Sequence, residues 1–230
     1  MKKLKKLFKL QKKILIHSYN YKLKFYLFIF FFPFCLFSQN FNSGLICGVS
    51  LSQVSGDQLS GFNKIGPRLG LYVSREINWY KINLELQYLS KGSRETINYS
   101  EQNNYIDNLN YNFINDYNLK LNYIGIPVLF CFNLNKKIEI EIGNEINVLV
   151  FQREEIDYYI DNSREVSKLE YCFLFGLNYK INKKYSANVR ATNSIIPIRK
   201  HSSGETYRFN RGQYNTTISI NILYNFNNSE

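Results

Sequence analysis

Histidine, methionine, tryptophan, cysteine and proline are scarce in this 230-residue chain, which holds two, one, one, four and four of them. Only one histidine, His201, lies beyond the first 38 residues, which leaves little for imidazole-based metal or acid–base chemistry. The cysteines at 35, 47, 131 and 172 are widely spaced and form no CxxC pair. Without Cys35 they are odd in number, so neither a disulfide framework nor a zinc ribbon is expected. Cys47, Cys131 and Cys172 read as small apolar fillers within strands. No Gly-rich phosphate loop, metal cluster or nucleic-acid motif is present. The sequence therefore nominates no catalytic, cofactor-binding or metal-ligating residue and calls for no cofactor.

Long apolar runs are missing as well. Phe25 to Phe37, broken by Pro33, is the longest, and thirteen residues fall short of the roughly 20 that a helix needs to cross a bilayer. The same segment accounts for the formal charge of +11. Residues 1–38 hold nine lysines and no acidic residue; 29 basic side chains less those nine leaves 20 against 18 acidic ones, a balance of +2. No field able to gather nucleic acid survives that subtraction. A lysine-rich n-region, an apolar core and Ser38-Gln39 after it read as a secretory signal. The expectation is a cleaved signal peptide at 1–38 and a mature domain at 39–230. Met1 is the only methionine, so no internal start shortens the n-region. A retained helical anchor fits the length less well, and lipidation at Cys35 conflicts with bulky Phe32, Pro33 and Phe34 before it.

What the remainder has in abundance is two-residue alternation, the signature of strands. Its clearest run closes the chain. From Gln213 to Phe226, Tyr214, Thr216, Ile218, Ile220, Ile222, Tyr224 and Phe226 alternate with Asn215, Thr217, Ser219, Asn221, Leu223 and Asn225. Seven further strands are expected over Gly44–Ser52, Lys64–Ser74, Tyr80–Lys91, Leu121–Phe132, Lys137–Phe151, Tyr171–Ile181 and Tyr185–Ser194. Pro127 in the fourth counts mildly against a central strand, and Asn144 in the fifth falls on the apolar face.

Short connections (Arg75–Trp79, Asn133–Lys136, Asn182–Lys184) alternate with long ones (Gln53–Asn63, Gly92–Lys120, Gln152–Glu170, Ile195–Gly212). Bacterial outer-membrane barrels have this sidedness, with short turns toward the periplasm. The fold class expected is all-β, an eight-stranded antiparallel up-and-down transmembrane β-barrel with its apolar face outward. Its inward face would then carry Arg68, Glu85, Gln87, Glu139, Glu141, Glu145, Asn188 and Arg190. Charges buried there must pair, so Arg68 and Arg190 are expected to meet the carboxylates of the third and fifth strands. Eight strands leave room only for side chains, and the lumen is expected to be plugged. Aromatic girdles should include Tyr80, Tyr88, Tyr171, Tyr179, Tyr185, Tyr214, Tyr224 and Phe226 at strand ends.

The order of short pieces resembles the PorT-like outer-membrane β-barrel proteins common in Bacteroidetes. The pieces are Gly44 to Ser52, Ile65-Gly66-Pro67-Arg68-Leu69-Gly70-Leu71-Tyr72, Leu84 to Gly92, Leu121-Asn122-Tyr123-Ile124-Gly125-Ile126-Pro127-Val128-Leu129, and Phe175-Gly176-Leu177-Asn178-Tyr179. The signal ending Phe37-Ser38-Gln39 is similar too. The resemblance implies location and architecture, a cell outer-membrane barrel, and a namesake involved in protein secretion and gliding-associated machinery; it carries over no catalytic motif. The Asn- and Tyr-rich stretch 92–120 departs from the pattern and reads as surface decoration.

The leading expectation is therefore a non-enzymatic, monomeric outer-membrane protein whose long loops contact something outside. Its partners would be outer-membrane lipid, the barrel-assembly machinery through the C-terminal strand, and an envelope protein, with no nucleic acid. One alternative is a lipid-modifying outer-membrane enzyme, for which His201 with Ser202 and Ser203 is the sole candidate group. Another is a soluble lipocalin-like binding barrel, in which apolar and charged faces would exchange sides.

Overall fold

A computed structural model describes residues 41–57, 59, 61–96, 116–200 and 212–227. The expected signal peptide, most of the 92–120 stretch, and His201 with its two serines lie outside these residues. Every regular element among them is a strand: β1 (Phe41–Ser55), β2 (Lys64–Ile77), β3 (Tyr80–Thr96), β4 (Asp116–Asn133), β5 (Ile138–Ile156), β6 (Tyr159–Ile160), β7 (Leu169–Lys180), β8 (Tyr185–Ser194) and β9 (Tyr214–Asn225). All pairings are antiparallel between chain neighbours, except that β6 is a two-residue flap on β5 and β7 joins β5 directly. β1 pairs with β9 from Gly44↔Asn225 to Ser55↔Tyr214, and β4 pairs with β5. The sheet therefore closes on itself as eight staves, with no free edge.

The staves run from 10 to 19 residues, at or above the roughly 9–11 that a tilted strand needs to cross hydrocarbon. The alternation decides which face goes where. Ile65, Leu71, Val150, Ile220 and Ile222 are each more than half exposed, whereas Arg68, Glu145, Asn147 and Ser50 show no exposure. Charged groups line the inside and aliphatic groups the outside, which overturns the lipocalin-like alternative. A soluble protein does not clothe its circumference in isoleucine, leucine and phenylalanine. Hydrocarbon is the surrounding that makes that surface favourable.

One rim of the apolar band carries aromatic rings. Trp79 stacks on Phe132 at 5.6 Å between centroids and meets Tyr80 edge-on at 5.1 Å. Tyr185 lies 5.2 Å from Tyr224, which lies 5.8 Å from Phe226. This is the short-turn end, with connections at Asn78-Trp79, 134–137 and 181–184. Tyr214 departs from the expected girdle, being only 2% exposed. Pro127 sits in a central stave after all: it is buried and pairs with Glu145 of β5, while the β3–β4 ladder skips Ile126 and Pro127.

At the other end the staves run beyond the sequence-based boundaries. β3 continues to Thr96, β4 begins at Asp116, and β5 continues to Ile156. Past the oil boundary the apolar alternation changes sense in β4: Tyr117 and Leu119 are buried inside while Lys120 is exposed, and the backbone ladder continues regardless. Gly92 holds the ladder at one such point. Its φ is +138° and a Cβ there would lie 1.9 Å from the Leu119 carbonyl oxygen, so no L side chain fits.

Candidate functional site

Two features of β5 organise the long-loop end of the lumen. The β4–β5 register shifts between Asn122 and Tyr123, so that Asn122 faces Phe151, Tyr123 faces Leu149, and Val150 is the extra residue. A bulge of this kind reverses the parity of everything after it. Val150 and Phe151 both face outward, and Glu154 turns inward, where it is fully buried. Sequence alternation alone left Glu154 in a loop.

Glu154 is the hub of the site. Arg199, held beside Gln213 by an isolated bridge, grips it with both ends of the guanidinium, Nη1 to Oε2 at 2.6 Å and Nη2 to Oε1 at 3.0 Å. The Tyr117 hydroxyl donates to Oε1 at 2.7 Å, and Arg164 Nη2 donates to the same oxygen at 3.0 Å. Arg199 Nε also donates to Gln213 Oε1, whose amide donates to the Gly56 carbonyl at 3.2 Å. The β6–β7 and β8–β9 connections thus meet on one carboxylate, and the β1–β2 connection is tied in through Gln213. Burial alone would raise the Glu154 pKa, but hydrogen bonds from Arg199 and Tyr117 and the guanidinium charges hold it below the ordinary carboxylate value. Bidentate Arg–carboxylate pairing is the strongest version of this contact.

Beneath the hub sits an apolar plug of Val54, Leu119, Leu121, Tyr123, Val166 and Ile198, joined by Leu89 and Tyr117. Val166 and Ile198 come from loops; an apolar residue in an otherwise polar loop was the available sign that the loop folds inward. Expected outcome: Glu154→Gln leaves Arg199 buried without its counter-charge and weakens the loop end by about 3 kcal/mol. Amide hydrogen exchange of residues 195–200 and limited proteolysis would show it, with the barrel staves below unchanged.

Asp57, in the β1–β2 connection, behaves oppositely. Burial raises its pKa to about 6, against partial compensation from Ser93 and from the Leu59 N–H, which donates to Oδ1 at 3.0 Å. Between its unfolded value of 3.8 and about 6 the folded protein binds the extra proton, so stability rises as pH falls through that window and is flat above it. Glu154, ionised in both states above about pH 5, does not oppose this. Expected outcome: thermal stability in detergent rises by the equivalent of about 1–2 kcal/mol from about pH 7.5 to about pH 5, and Asp57→Asn removes the trend.

Below the plug the lumen is filled by ion pairs. Arg68 Nη2 bonds Glu145 at 3.0 Å, with Nε on Gln87 at 2.5 Å and Nη1 on Ser219 at 3.3 Å. Lys91 Nζ bridges Glu145 at 3.4 Å and Glu170 at 3.0 Å. Arg190 clasps Glu85 through both Nη atoms, at 2.7 and 2.8 Å, and Glu141 through Nε at 2.8 Å. Nearer the short turns, Glu139 takes Lys81 at 2.6 Å and Lys180 at 3.6 Å. Five cations here meet five carboxylates. The pairing expected of Arg68 and Arg190 with the third and fifth strands is present in full. Lys91 and Glu170 were missed, because they stood at or beyond the ends assigned to their strands.

Cys131, Glu139 and Glu141 converge with ligand atoms within 4.8 Å. Both carboxylates already draw counter-charge from Lys81 and Arg190, so the group reads as part of the ion-pair packing. Cys131 and Cys172 are buried and Cys47 faces outward, all three unbridged. At the tip of the β5–β6 hairpin, Tyr158 and Tyr159 are 87% and 80% exposed, lifted by a two-residue turn in which Asp157 and Tyr158 both have positive φ.

No family model matches the sequence, and no curated protein matches it. Among solved structures, the chain is similar to Ail, the attachment invasion locus protein of Yersinia pestis, crystallised with the heparin analogue sucrose octasulfate, at 10% identity and a TM-score of 0.46 over 81% of this chain and 99% of that one. It is similar to neisserial surface protein A at 11% identity and 0.46, covering 80% and 97%, and to CarO of Acinetobacter baumannii at 8% and 0.39, covering 79% and 96%. The strand pairing and the distribution of charged and apolar faces establish the eight-stranded antiparallel barrel independently of these likenesses.

Proposed function

We propose that this chain is an integral outer-membrane β-barrel protein, monomeric and non-enzymatic, that holds a set of surface loops in place and conducts nothing. The observation that carries this reading is the opposition of its two faces: an outer wall of aliphatic and aromatic side chains, interrupted by Asn144, around a lumen filled by paired charges. The outer band takes lipid as its solvent. Above the band, the Glu154 hub fixes three loops and presents the Tyr158-Tyr159-Ile160 tip to whatever lies outside, the place for an envelope protein partner. The C-terminal stave, with Tyr224 and Phe226 at its end, is the segment offered to barrel-assembly machinery. The PorT-like resemblance adds a finer reading, a part in protein secretion or gliding-associated machinery, supported by the sequence pieces given above.

Fractionation tests the location. The protein should sediment with outer membranes and migrate faster on a gel unheated than boiled; recovery in the soluble fraction with no shift would end the proposal. Planar-bilayer recordings should show no steady conductance. His201→Ala should leave the lipid A profile of whole cells unchanged, and an altered profile would favour the enzymatic alternative. Tyr158→Ala with Tyr159→Ala should leave the barrel folded and reduce crosslinked partner several-fold.

A further inference from the structure

The short-turn end of the lumen opens into a cavity of about 520 Å³, within the range of small-molecule sites. Lys81, Lys136, Lys137, Lys180, Lys183 and Lys184 line it, against one lining carboxylate, Glu76. Lys81 and Lys180 are committed to Glu139. The remaining four stand apart: among the described residues, no carboxylate pairs with Lys136, Lys137, Lys183 or Lys184.

Those four come from a duplicated device. Asn135-Lys136-Lys137 joins β4 to β5, and Asn182-Lys183-Lys184 joins β7 to β8. In the first, the Asn135 side-chain oxygen accepts from the Lys137 and Ile138 N–H groups, each at 2.8 Å. In the second, Asn182 accepts from Lys184 and Tyr185, again each at 2.8 Å. Both turns close with the same pair of backbone bonds, from residues 134 and 135 to Ile138 and from residues 181 and 182 to Tyr185. Because β5 pairs with β7, the Lys180 N–H reaches the Lys137 carbonyl at 2.8 Å, which sets the turns side by side. Two lysine pairs are thus held at neighbouring points of one rim.

We infer that this mouth is a binding site for a multiply charged anion, a phosphate- or carboxylate-rich solute of the aqueous phase. The interior ion pairs below are balanced, so the four turn lysines are excess positive charge over a concave, low-dielectric wall, the arrangement that concentrates counter-charge. Hydroxyl groups of Tyr72, Ser74 and Ser186 line the same cavity and can donate to oxyanions. A lipid headgroup fits less well. The cavity opens into the lumen, and the wall facing lipid at this end is aromatic, with Trp79, Phe132, Tyr185 and Phe226. The anion class is independent of the membrane assignment; only the compartment, periplasmic if the short turns face inward, rests on it.

Calorimetry on the mature chain refolded in uncharged detergent tests this, with inorganic pyrophosphate as probe and inorganic phosphate and citrate as comparisons. Saturable one-to-one binding is expected, tighter for pyrophosphate than for phosphate, and weakened by about 0.5 M salt. The combination Lys136→Gln, Lys137→Gln, Lys183→Gln and Lys184→Gln should weaken it about tenfold or more. These side chains are exposed, so the variant should retain heat-modifiable migration. Lys120→Gln with Arg153→Gln, at the far end, should leave binding unchanged. Absence of saturable heat, or undiminished binding in the four-lysine variant, would overturn the inference. So would a variant that loses only its retention of phosphatidylglycerol in nanodiscs while binding pyrophosphate as before. These results do not depend on membrane fractionation, so the two readings fail separately.

Discussion

Arg190→Leu is expected to prevent refolding, or to cost about 3–5 kcal/mol where a folded form persists. Arg190, on β8, is fully enclosed and touches two carboxylates, Glu85 of β3 across the lumen and Glu141 of β5 two staves away. Without it, Glu85 keeps only neutral donors, Asn83 and Gln87, and Glu141 keeps the Asn188 amide at 2.9 Å. Two negative charges then face each other in a space closed to bulk water. The cost comes from what is left behind, so removing the whole group should recover much of it. Arg190→Leu combined with Glu85→Leu and Glu141→Leu should unfold in denaturant at a midpoint well above that of the single variant, because apolar replacement of a complete buried ion group is often neutral or better. A single variant with an unchanged midpoint would show that the network contributes nothing to the barrel.

Ile220→Arg should destabilise the protein in lipid or detergent by about 2–4 kcal/mol, the cost of a guanidinium near the mid-plane of a barrel's lipid face. Ile220 is 55% exposed between Val49 of β1 and Val189 of β8. In a water-soluble protein an exposed isoleucine exchanged for arginine changes stability by less than about 0.5 kcal/mol. The same substitution therefore separates the two environments by several kcal/mol. Thr217→Arg, three positions earlier and so of opposite parity, points into the lumen and should fail for a different reason, overpacking among Asn215, Ser219 and Thr192.

The barrel was legible because period-two alternation and loop sidedness are local properties that the bilayer enforces along its whole thickness. Arg68, Glu85, Glu141, Glu145 and Arg190 could be placed on the inner face by counting, and the need to neutralise them indicated their pairing. Counting failed where lipid no longer constrains the pattern. The extra residue at Val150 reversed parity and hid Glu154; the same boundary hid Glu170 and the outer turns of β3 and β4. Tyr214 reads as an outward aromatic by parity yet is covered, which parity cannot register. The duplicated Asn-Lys-Lys turns were visible as short connections. Their adjacency followed only from the β5–β7 pairing, a fact of closure rather than of local sequence.

The most direct test asks what solvent Ile220 meets. With Trp79→Phe removing the only tryptophan, Ile220→Trp introduces a single fluorophore on the aliphatic face, to be read in vesicles carrying bromine in their acyl chains. A blue-shifted emission strongly quenched by the brominated chains is the result expected of a wall facing oil. Emission at the wavelength of water-exposed tryptophan, unquenched by those lipids, would contradict the account.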